Sequence, residues 1–221
     1  MKLKNNHKFV LAADGSGASG KTTGAKIISR KYGLKFLSSG LLYRFASHQL
    51  LKHKPKNKVN FLKSKFKKLN YSKLNKIGLH SSKISEYTSI IAKEKKIRDV
   101  LKKFQKDFAS KHKKVCIEGR DIGTVILPKA DLKFFFVCSL NIAAKRRYKE
   151  LKKKNKKINF KNVKKDLQNR NLRDVSRKNS PLLKSHDAVI VDTGKLRNIT
   201  IMINKMIKKT SKLRLFFTNK I

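Results

Sequence analysis

Residues 9–24 read FVLAADGSGASGKTTG, and they decide the fold of this 221-residue chain. The apolar run FVLAA has β-strand character, and KTTGAKIISRKY (21–32) has its apolar residues at helical spacing. Between them, GSGASGKT (15–22) has the spacing G-x-x-x-x-G-K-[ST]. Glycines in such a turn let backbone N–H groups surround phosphate, and the following helix directs its positive end at the same place. The stretch therefore predicts a phosphate-binding loop for a nucleoside triphosphate.

Two side chains of this loop have specific expected roles. Lys21 can reach the β- and γ-phosphates, and the hydroxyl of Thr22 can occupy a Mg²⁺ ligand position. A chance match in an ordinary turn is the alternative, which the strand before the motif and the helix after it disfavour. The residues predicted to bind ATP are Gly15, Ser16, Gly17, Ala18, Ser19, Gly20, Lys21, Thr22 and Thr23.

Apolar runs of strand length alternate with helical patterns along the rest of the chain. This alternation implies crossover connections and a mostly parallel sheet covered on both faces, which is an α/β fold. Residues 54–80 are rich in Lys, Asn and Ser and are expected to be a loosely specified insert. The expected strands are 9–13, 34–37, 115–117, 132–138 and 188–192, and the expected helices are 21–32, 40–53, 82–111 with a break near 94–96, 141–154, 160–178 and about 197–209.

The formal net charge of +45 is extreme, but lysines are spread over nearly every polar stretch of the chain. A solvated lysine-rich surface is one interpretation, and weak non-specific binding to nucleic acid is the other. No run of 18 apolar residues is present, so no membrane span is expected. The two cysteines, Cys116 and Cys138, form no CxxC pair, so we expect buried free thiols and a cytoplasmic location. A monomer is also expected.

A phosphate-binding loop does not identify the reaction, because GTPases, ATPases and small-molecule kinases share it. The chain contains no NKxD segment for guanine recognition, which disfavours a GTPase. Together with the loop, three stretches resemble the bacterial cytidylate kinase family of P-loop nucleoside-monophosphate kinases over about residues 8–209. These stretches are SSGLLYR (38–44), EGRDIGTVILPKADLKFF (118–135) and RNLRDVSRKNSPL (170–182).

The resemblance implies an architecture and a reaction. The architecture is a kinase core (1–53 and 98–221) with a five-stranded parallel sheet flanked by helices. A small NMP-binding insert (54–97) and a short lid (about 152–160) complete it. The reaction is transfer of the ATP γ-phosphoryl to CMP or dCMP, with Mg²⁺ as the cofactor.

The resemblance also implies roles for individual residues. It puts Ser39 and Arg44 near the CMP phosphate, and Ser89 and Arg98 at the cytosine. Arg120 and Asp121 resemble a phosphate-binding arginine and a base-reading carboxylate. Arg170, Asp174 and Arg177 resemble the family's arrangement around ribose and phosphates, with Arg173 among them. The predicted CMP-binding residues are therefore Ser39, Arg44, Ser89, Arg98, Arg120, Asp121, Arg170, Asp174 and Arg177, and the predicted catalytic residues are Lys21, Arg120 and Arg177.

The distribution of arginine agrees with these roles. The chain has only 11 arginines, and most of them fall in or beside the four motifs, including Arg146 and Arg147. A guanidinium offers a planar fork suited to phosphate oxygens, so arginine is expected where geometry matters and lysine where charge suffices. Arg170, Asp174 and Arg177 share one helix face, for which a surface salt-bridge ladder is the alternative.

Two carboxylates have alternative roles, and the sequence departs from the family pattern at two positions. Asp14 and Glu118 end strands beside the loop, where each could bind Mg²⁺-ligated water or simply cap its strand. Ser38 stands where the family usually has Asp, and Glu118 stands where its GRD motif usually has a preceding Asp. The six histidines show no metal-ligand spacing.

Three functions compete at this point. The first is a CMP or dCMP kinase, and the second is a P-loop kinase for another monophosphate such as UMP or AMP. The third is a basic RNA-associated protein with a vestigial P-loop. The complete set of GKT, GRD and RxxxDxxR motifs favours the first.

Overall fold

A computed structural model describes residues 2–3, 8–153, 157–194, 201, 204 and 217–218. No helix within these ranges is long and apolar enough to cross a membrane. The helices are α1 (Lys21–Tyr32), α2 (Ser39–His53), α3 (Lys58–Lys67), α4 (Ser82–Ile91), α5 (Lys95–Lys111), α6 (Leu140–Lys152) and α7 (Phe160–Ser176). The strands are β1 (Lys2–Leu3), β2 (Phe9–Gly15), β3 (Lys35–Ser38), β4 (Lys114–Gly119), β5 (Leu132–Val137), β6 (Val189–Asp192) and β7 (Phe217–Thr218).

A five-stranded parallel sheet has the strand order β3-β4-β2-β5-β6. β2 lies in its centre and pairs with β4 and β5 along most of its length. The chain leaves β2 towards one side of the sheet and later returns to the other side, which creates a crevice at the carboxyl ends of the strands. The phosphate-binding loop therefore emerges in the middle of the sheet, beside the ends of β3 and β4. β1 and β7 form a separate antiparallel pair.

Helices cover both faces of the sheet, as the apolar runs predict. On one face, Ile28 and Tyr32 of α1 pack with Phe134 and Phe136 of β5. On the other face, the α2 residues Leu42 and Phe45 lie in a cluster that continues into residues 54–97. Burial on both faces explains why the centres of β4 (VCI, 115–117) and β5 (FFFV, 134–137) are continuous apolar runs rather than alternating ones.

The insert is more regular than the sequence suggested. It contains the helix α3, a 3₁₀ helix (Tyr71–Lys76) and α4, so the expectation of a loosely specified segment for 54–80 was wrong. Leu62 and Phe66 are spaced i, i+4 on α3, and both are buried against α5, where Phe66 meets Phe104 edge-on. Packing of these two α3 residues against α5 thus stabilises a helix in a segment whose composition is typical of a loop.

Several other expectations concern particular segments. α4 and α5 are separated at residues 92–94, close to the expected break. Cys116 is buried and Cys138 is half-buried, and both are free thiols. The helix expected around 197–209 falls outside the described residues except for 201 and 204, which are helical. The lid expected at about 152–160 includes 154–156, which also lie outside them, and the lid stays a prediction, as do the boundaries of the insert.

Candidate active site

The loop after β2 has the backbone geometry that its glycines allow. Gly15 has φ +154°, and a Cβ there would lie 2.5 Å from the carbonyl oxygen of Phe136 on the neighbouring strand. Gly20 has φ +85° immediately before α1 begins at Lys21. Side chains rarely adopt these conformations, so glycine is required at both positions. The loop thereby delivers its backbone to the N-terminus of α1, where unpaired N–H groups favour anions.

Lys21 is buried at the base of this loop, with 7% of its surface exposed. Its Nζ donates to the carbonyl oxygen of Ser16 at 3.1 Å and lies 3.9 Å from Oε2 of Glu118. Burial, together with the positive charge of Arg120, lowers the pKa of Lys21 to about 7. A bound polyanion would favour the ammonium form of Lys21, because phosphate charge would compensate for the solvation that the buried ammonium group lacks.

Glu118 and Asp14 differ in how many of their oxygens are free. Oε1 of Glu118 accepts a hydrogen bond from the Ser38 hydroxyl, whereas Oε2 is buried with no hydrogen-bond partner. Both oxygens of Asp14 accept backbone N–H groups, from Ile122 at 2.8 Å and from Gly123 at 2.7 Å. Burial raises the pKa of Asp14 to about 6. Asp14 therefore fixes the segment after GRD, and Glu118 is the carboxylate with an open acceptor.

The residues beside the loop fit a magnesium ion held mainly by substrate. Thr22 lies in the first turn of α1 and lines the same cavity as Glu118 and Lys21. No group of three or more His, Cys, Asp or Glu that could hold a metal occurs among the described residues. Mg²⁺ retains several waters and is commonly bound through one or two protein oxygens plus phosphates. The Thr22 hydroxyl and the free Glu118 oxygen match that requirement.

Two cavities meet in front of the sheet. The larger has a volume of about 440 Å³ and is lined by residues 17–23 together with Arg44 and Glu118. The smaller has a volume of about 50 Å³ and lies between α2, α4 and α7. Gly40, Arg120 and Arg170 line both cavities. These residues therefore mark the place where a ligand on the loop would approach a second ligand.

The smaller cavity gathers most of the residues that were predicted to bind CMP. Those that line it are Ser39, Ser89, Arg98, Arg120, Asp121, Arg170, Asp174 and Arg177. Arg44 is the exception, because it lines the larger cavity, where its Nη1 donates to the Leu79 carbonyl at 3.0 Å and to the Ser85 hydroxyl at 2.8 Å. Gly15 and Ser16 likewise do not line the larger cavity, although Ser16 holds Lys21.

Charged side chains of the smaller cavity form one buried network. Arg98 donates to Asp121, and the guanidinium of Arg98 also lies over the ring of Tyr43. Nε of Arg120 donates to Asp174 at 2.8 Å. Arg177 lies between the two carboxylates, 4.0 Å from Asp121 and 3.7 Å from Asp174. The guanidiniums outnumber the carboxylates, so the network has capacity for additional negative charge.

Two nitrogen atoms of this network have no hydrogen-bond partner among the described residues. Nε of Arg170 and Nη2 of Arg177 are buried without a hydrogen bond. Burial and the charge of Arg120 lower the pKa of Arg170, whereas Arg120 and Arg170 hold the pKa of Asp174 below its usual value against the effect of burial. Buried donors without partners are rare in folded proteins, and here they point to ligand oxygens.

Helix α7 and the residue that follows it supply three of these groups. Arg170, Asp174 and Arg177 are spaced i, i+4 and i+7, so they point together into the cavities rather than forming a surface salt-bridge ladder. α7 ends at Ser176, and Nε of Arg177 donates to the carbonyl oxygen of Ser180 at 2.6 Å, which holds its side chain in place.

The structure adds residues that the motifs did not identify. The Thr193 hydroxyl donates to the carbonyl oxygen of Ser19 at 2.8 Å, which ties the end of β6 to the loop. Arg146 of α6 donates to Thr193 through both of its terminal nitrogens, at 2.8 and 2.9 Å. Arg146 and Arg147 both line the larger cavity. The only sequence signal for these two arginines was their position beside the motifs, and Thr193 had none.

The departures from the family pattern have a common structural basis. Ser38 caps α2, because its Oγ accepts from the Leu41 N–H at 3.3 Å, and it also donates to Glu118. Its own N–H donates to the Tyr71 hydroxyl at 2.8 Å. Serine is a good N-cap, and the longer Glu118 side chain reaches it across the strand ends.

Comparisons with other proteins agree with this geometry. Among solved structures, an uncharacterized protein from Eubacterium ventriosum is similar with a TM-score of 0.54 and 15% identity, over 93% of this chain and 99% of that one. A gluconokinase from Sinorhizobium meliloti has a TM-score of 0.50 and 11% identity, over 95% of each chain. These similarities support the fold alone.

Sequence relatives are much closer. The cytidylate kinase of Bartonella tribocorum is 38% identical over 85% of this chain and 88% of its own length. The cytidylate kinase of Thermosipho melanesiensis is 37% identical over 92% of this chain and 98% of its own length. The family model for cytidylate kinase matches residues 11–212. The chain belongs to the cytidylate kinase family.

Proposed function

We propose that this protein transfers the γ-phosphoryl group of ATP to CMP or dCMP, giving ADP and CDP or dCDP. Family membership supports this reaction. The observation that carries it is that a cavity on the phosphate-binding loop meets a second, arginine-lined cavity at Arg120 and Arg170. One site for a donor and an adjoining site for an acceptor are what a nucleotide kinase needs and a GTPase does not.

The donor occupies the larger cavity. The backbone of residues 15–20 and the N-terminus of α1 bind the β- and γ-phosphates, and Lys21 reaches the γ-phosphate. The Thr22 hydroxyl and Glu118, the latter through a bound water, would hold Mg²⁺. When bound, the ion would supply positive charge that neutralises the phosphates of the donor.

The acceptor occupies the smaller cavity. Cytosine presents a 4-amino donor beside ring acceptors, and Ser89, Arg98 and Asp121 offer complementary groups. Ser39 and Arg44 approach the phosphate from α2. The remaining members of the set, on α7 and after β4, surround the ribose and the phosphate and are Arg120, Arg170, Asp174 and Arg177.

The reaction needs little proton chemistry from the protein. The second pKa of a phosphate monoester is about 6, so the acceptor is already mostly dianionic near neutral pH. Catalysis then consists of holding two polyanions together and neutralising the charge that develops on the transferred group. Lys21 acts on the donor side, and Arg120 and Arg177 act on the acceptor side. The unpartnered donor atoms of Arg170 and Arg177 are available for phosphate oxygens.

The acceptor site must widen when substrate binds. Pockets for small molecules are commonly about 300 Å³ or larger, whereas the smaller cavity has a volume of about 50 Å³. Ion pairs join the segment after β4 to α5 and α7 across this cavity, and a nucleotide can replace these ion pairs with its own phosphate and base. A lid at about 152–160 would then exclude water and suppress ATP hydrolysis.

A panel of acceptors tests the proposal. Purified protein is assayed for ADP release with ATP and CMP, dCMP, UMP or AMP, using the wild type and Asp121→Ala, with thermal unfolding to confirm that both are folded. We expect CMP or dCMP to be the best acceptor of the wild type and the preference to fall in the variant. Equal activity with all four acceptors would contradict the proposed function. A cytosine preference that survives Asp121→Ala would contradict the role given to Asp121.

A kinase for another monophosphate would be identified by the same panel. The RNA-associated alternative predicts instead tight RNA binding with a steep salt dependence and no effect of Lys21→Ala. Weak non-specific binding to nucleic acid, a monomeric state and a cytoplasmic location stay predictions.

A further inference from the structure

A third, open cavity lies at the edge of the sheet, next to the edge strand β3. It has a volume of about 820 Å³ and is bordered by the start of β3, the end of α3, the 3₁₀ helix and the last turns of α5. We call it the edge groove, and its lining residues are Lys35, Phe36, Lys67, Lys68, Leu69, Asn70, Tyr71, Ser72 and Phe108. Phe36 and Tyr71 also line the larger cavity, so the edge groove adjoins the donor site. The proposed reaction gives none of these residues a role.

The charged side chains of the edge groove are all positive. Lys35, Lys67 and Lys68 are exposed, and the lining includes no acidic residue within the part of the chain that the structure describes. Asp107 precedes Phe108 in the chain, but its carboxylate pairs with Lys103 at 3.4 Å. The edge groove therefore favours a ligand that carries several negative charges.

Three aromatic rings lie among these lysines. Phe36, Tyr71 and Phe108 are each half-buried, so part of each ring is accessible to a ligand. The rings of Tyr71 and Phe108 meet edge-on with centroids 5.8 Å apart, and the Tyr71 hydroxyl accepts the Ser38 N–H at 2.8 Å. These contacts fix the rings before any ligand binds, which reduces the entropy cost of binding. Lysine on an edge strand can serve only to prevent strand pairing, but that role does not require aromatic rings.

The combination of lysines and aromatic rings is typical of sites for single-stranded nucleic acid. Phosphates contact the ammonium groups, and bases stack on the rings with little dependence on sequence, because every base has a π-face. A duplex has its base faces covered and inorganic polyphosphate has no bases, so neither would use the rings. The net charge of +45 attracts any nucleic acid to the protein, and the rings supply a reason for binding in the edge groove.

We propose that the edge groove is a binding site for single-stranded nucleic acid, in which Lys35, Lys67 and Lys68 contact phosphates and a base stacks on Phe108. The site is separate from phosphoryl transfer, so the inference goes beyond the proposed function and does not depend on it. The same contacts accept RNA and DNA, and the experiment measures both.

The first test removes charge from the edge groove. Fluorescence anisotropy measures binding of labelled oligouridylate and oligothymidylate of about 10 nucleotides, in salt from about 50 to 200 mM. The variant is Lys67→Gln with Lys68→Gln. The matched control is Lys95→Gln with Lys96→Gln, which removes two adjacent exposed charges from the first turn of α5, at the opposite end of that helix from Phe108.

Loss of two phosphate contacts should reduce the slope of log K against log salt by about 1.4, because each contact with a single strand contributes about 0.7. The control pair should leave the slope unchanged. All four lysines are exposed, so this test does not depend on a substitution in the core.

The second test removes the stacking surface. Phe108→Leu keeps an apolar side chain and should weaken binding of both oligonucleotides about tenfold. Phe104→Leu is the matched control, because Phe104 lies one turn earlier on α5, is also half-buried, packs on Phe66 and does not line the edge groove. It should leave the Kd unchanged. Thermal unfolding confirms that both variants are folded, and MgADP with CMP should not displace either oligonucleotide from the wild type.

Four results would overturn the inference. A wild type that binds neither oligonucleotide would do so directly. An equal change of slope for the two lysine pairs would mean that the charge of the whole surface attracts nucleic acid. A folded Phe108→Leu variant with the Kd of the wild type would mean a general polyanion site without stacking. Displacement of the oligonucleotides by MgADP and CMP would place them in the reaction site.

Discussion

ATP binding should become weaker as the pH rises, because of Lys21. The side chain is buried beside Arg120, and its pKa is about 7 in the absence of nucleotide. Bound triphosphate favours the ammonium form and should raise this pKa towards the ordinary lysine value of about 10.4. The protonated form of Lys21 therefore binds ATP more tightly. At pH values above the pKa of Lys21 in the free protein, binding of ATP requires uptake of a proton, so the affinity falls as the pH rises.

The magnitude follows from the two pKa values. With a pKa of about 7, Lys21 is about 90% protonated near pH 6 and about 10% protonated near pH 8. Proton uptake on binding should therefore rise from about 0.1 to about 0.9 per ATP over this interval, and the Kd for ATP should increase about tenfold. A tenfold change corresponds to about 1.4 kcal/mol.

Isothermal titration calorimetry measures both quantities. MgATP is titrated into the protein without acceptor, at each pH in two buffers of different ionisation enthalpy, and the difference in heat gives the number of protons taken up. Lys21→Met is the control and should bind more weakly, with little proton uptake near pH 8. Uptake of less than about 0.2 proton by the wild type near pH 8, or equal uptake by Lys21→Met, would refute the assignment to Lys21.

Two further substitutions test contacts that hold the site together. Thr193→Val removes the hydroxyl that joins Ser19 to Arg146, so KM for ATP should increase about tenfold with a smaller change in kcat. Thr124→Val, which removes a buried hydroxyl with no partner, is the matched control and should leave KM unchanged; an equal rise would contradict the role of Thr193. Asp121→Asn leaves the buried guanidiniums of Arg98 and Arg177 without this counter-charge and should lower the free energy of unfolding in urea by about 3 kcal/mol. Asp107→Asn, which removes one charge of an exposed ion pair, should lower the free energy of unfolding by less than about 1 kcal/mol. Equal decreases for the two variants would contradict a stabilising role of the buried network.

The central sheet could be predicted because its signals are local. Apolar runs of three to seven residues became β2, β3, β4, β5 and β6, and the glycine pattern of the loop predicted the donor site. The resemblance to the family also assigned Arg98, Asp121 and Asp174 to one ligand, and all three line one cavity. These features depend on short stretches of sequence and on the rule that parallel strands end at the same edge.

Other features depend on contacts between distant parts of the chain. The bond from Thr193 to Ser19 joins residues 174 positions apart, and nothing in a short window predicts it. Both oxygens of Asp14 accept backbone N–H groups from a segment more than 100 residues away, a contact that supports the structural role of Asp14 and that no short window predicts. The helical character of 54–80 depends on α5 as a packing partner for Leu62 and Phe66, which propensity alone does not include.

Transfer of label from ATP to cytidine monophosphate tests the central claim most directly. The protein is incubated with ATP labelled at the γ-phosphate and with CMP, and the products are separated. The account predicts that the label appears in CDP, in amounts equal to the ADP formed, and that Lys21→Ala abolishes this transfer. Label released as inorganic phosphate, or label that remains in ATP while the protein is folded, would contradict it.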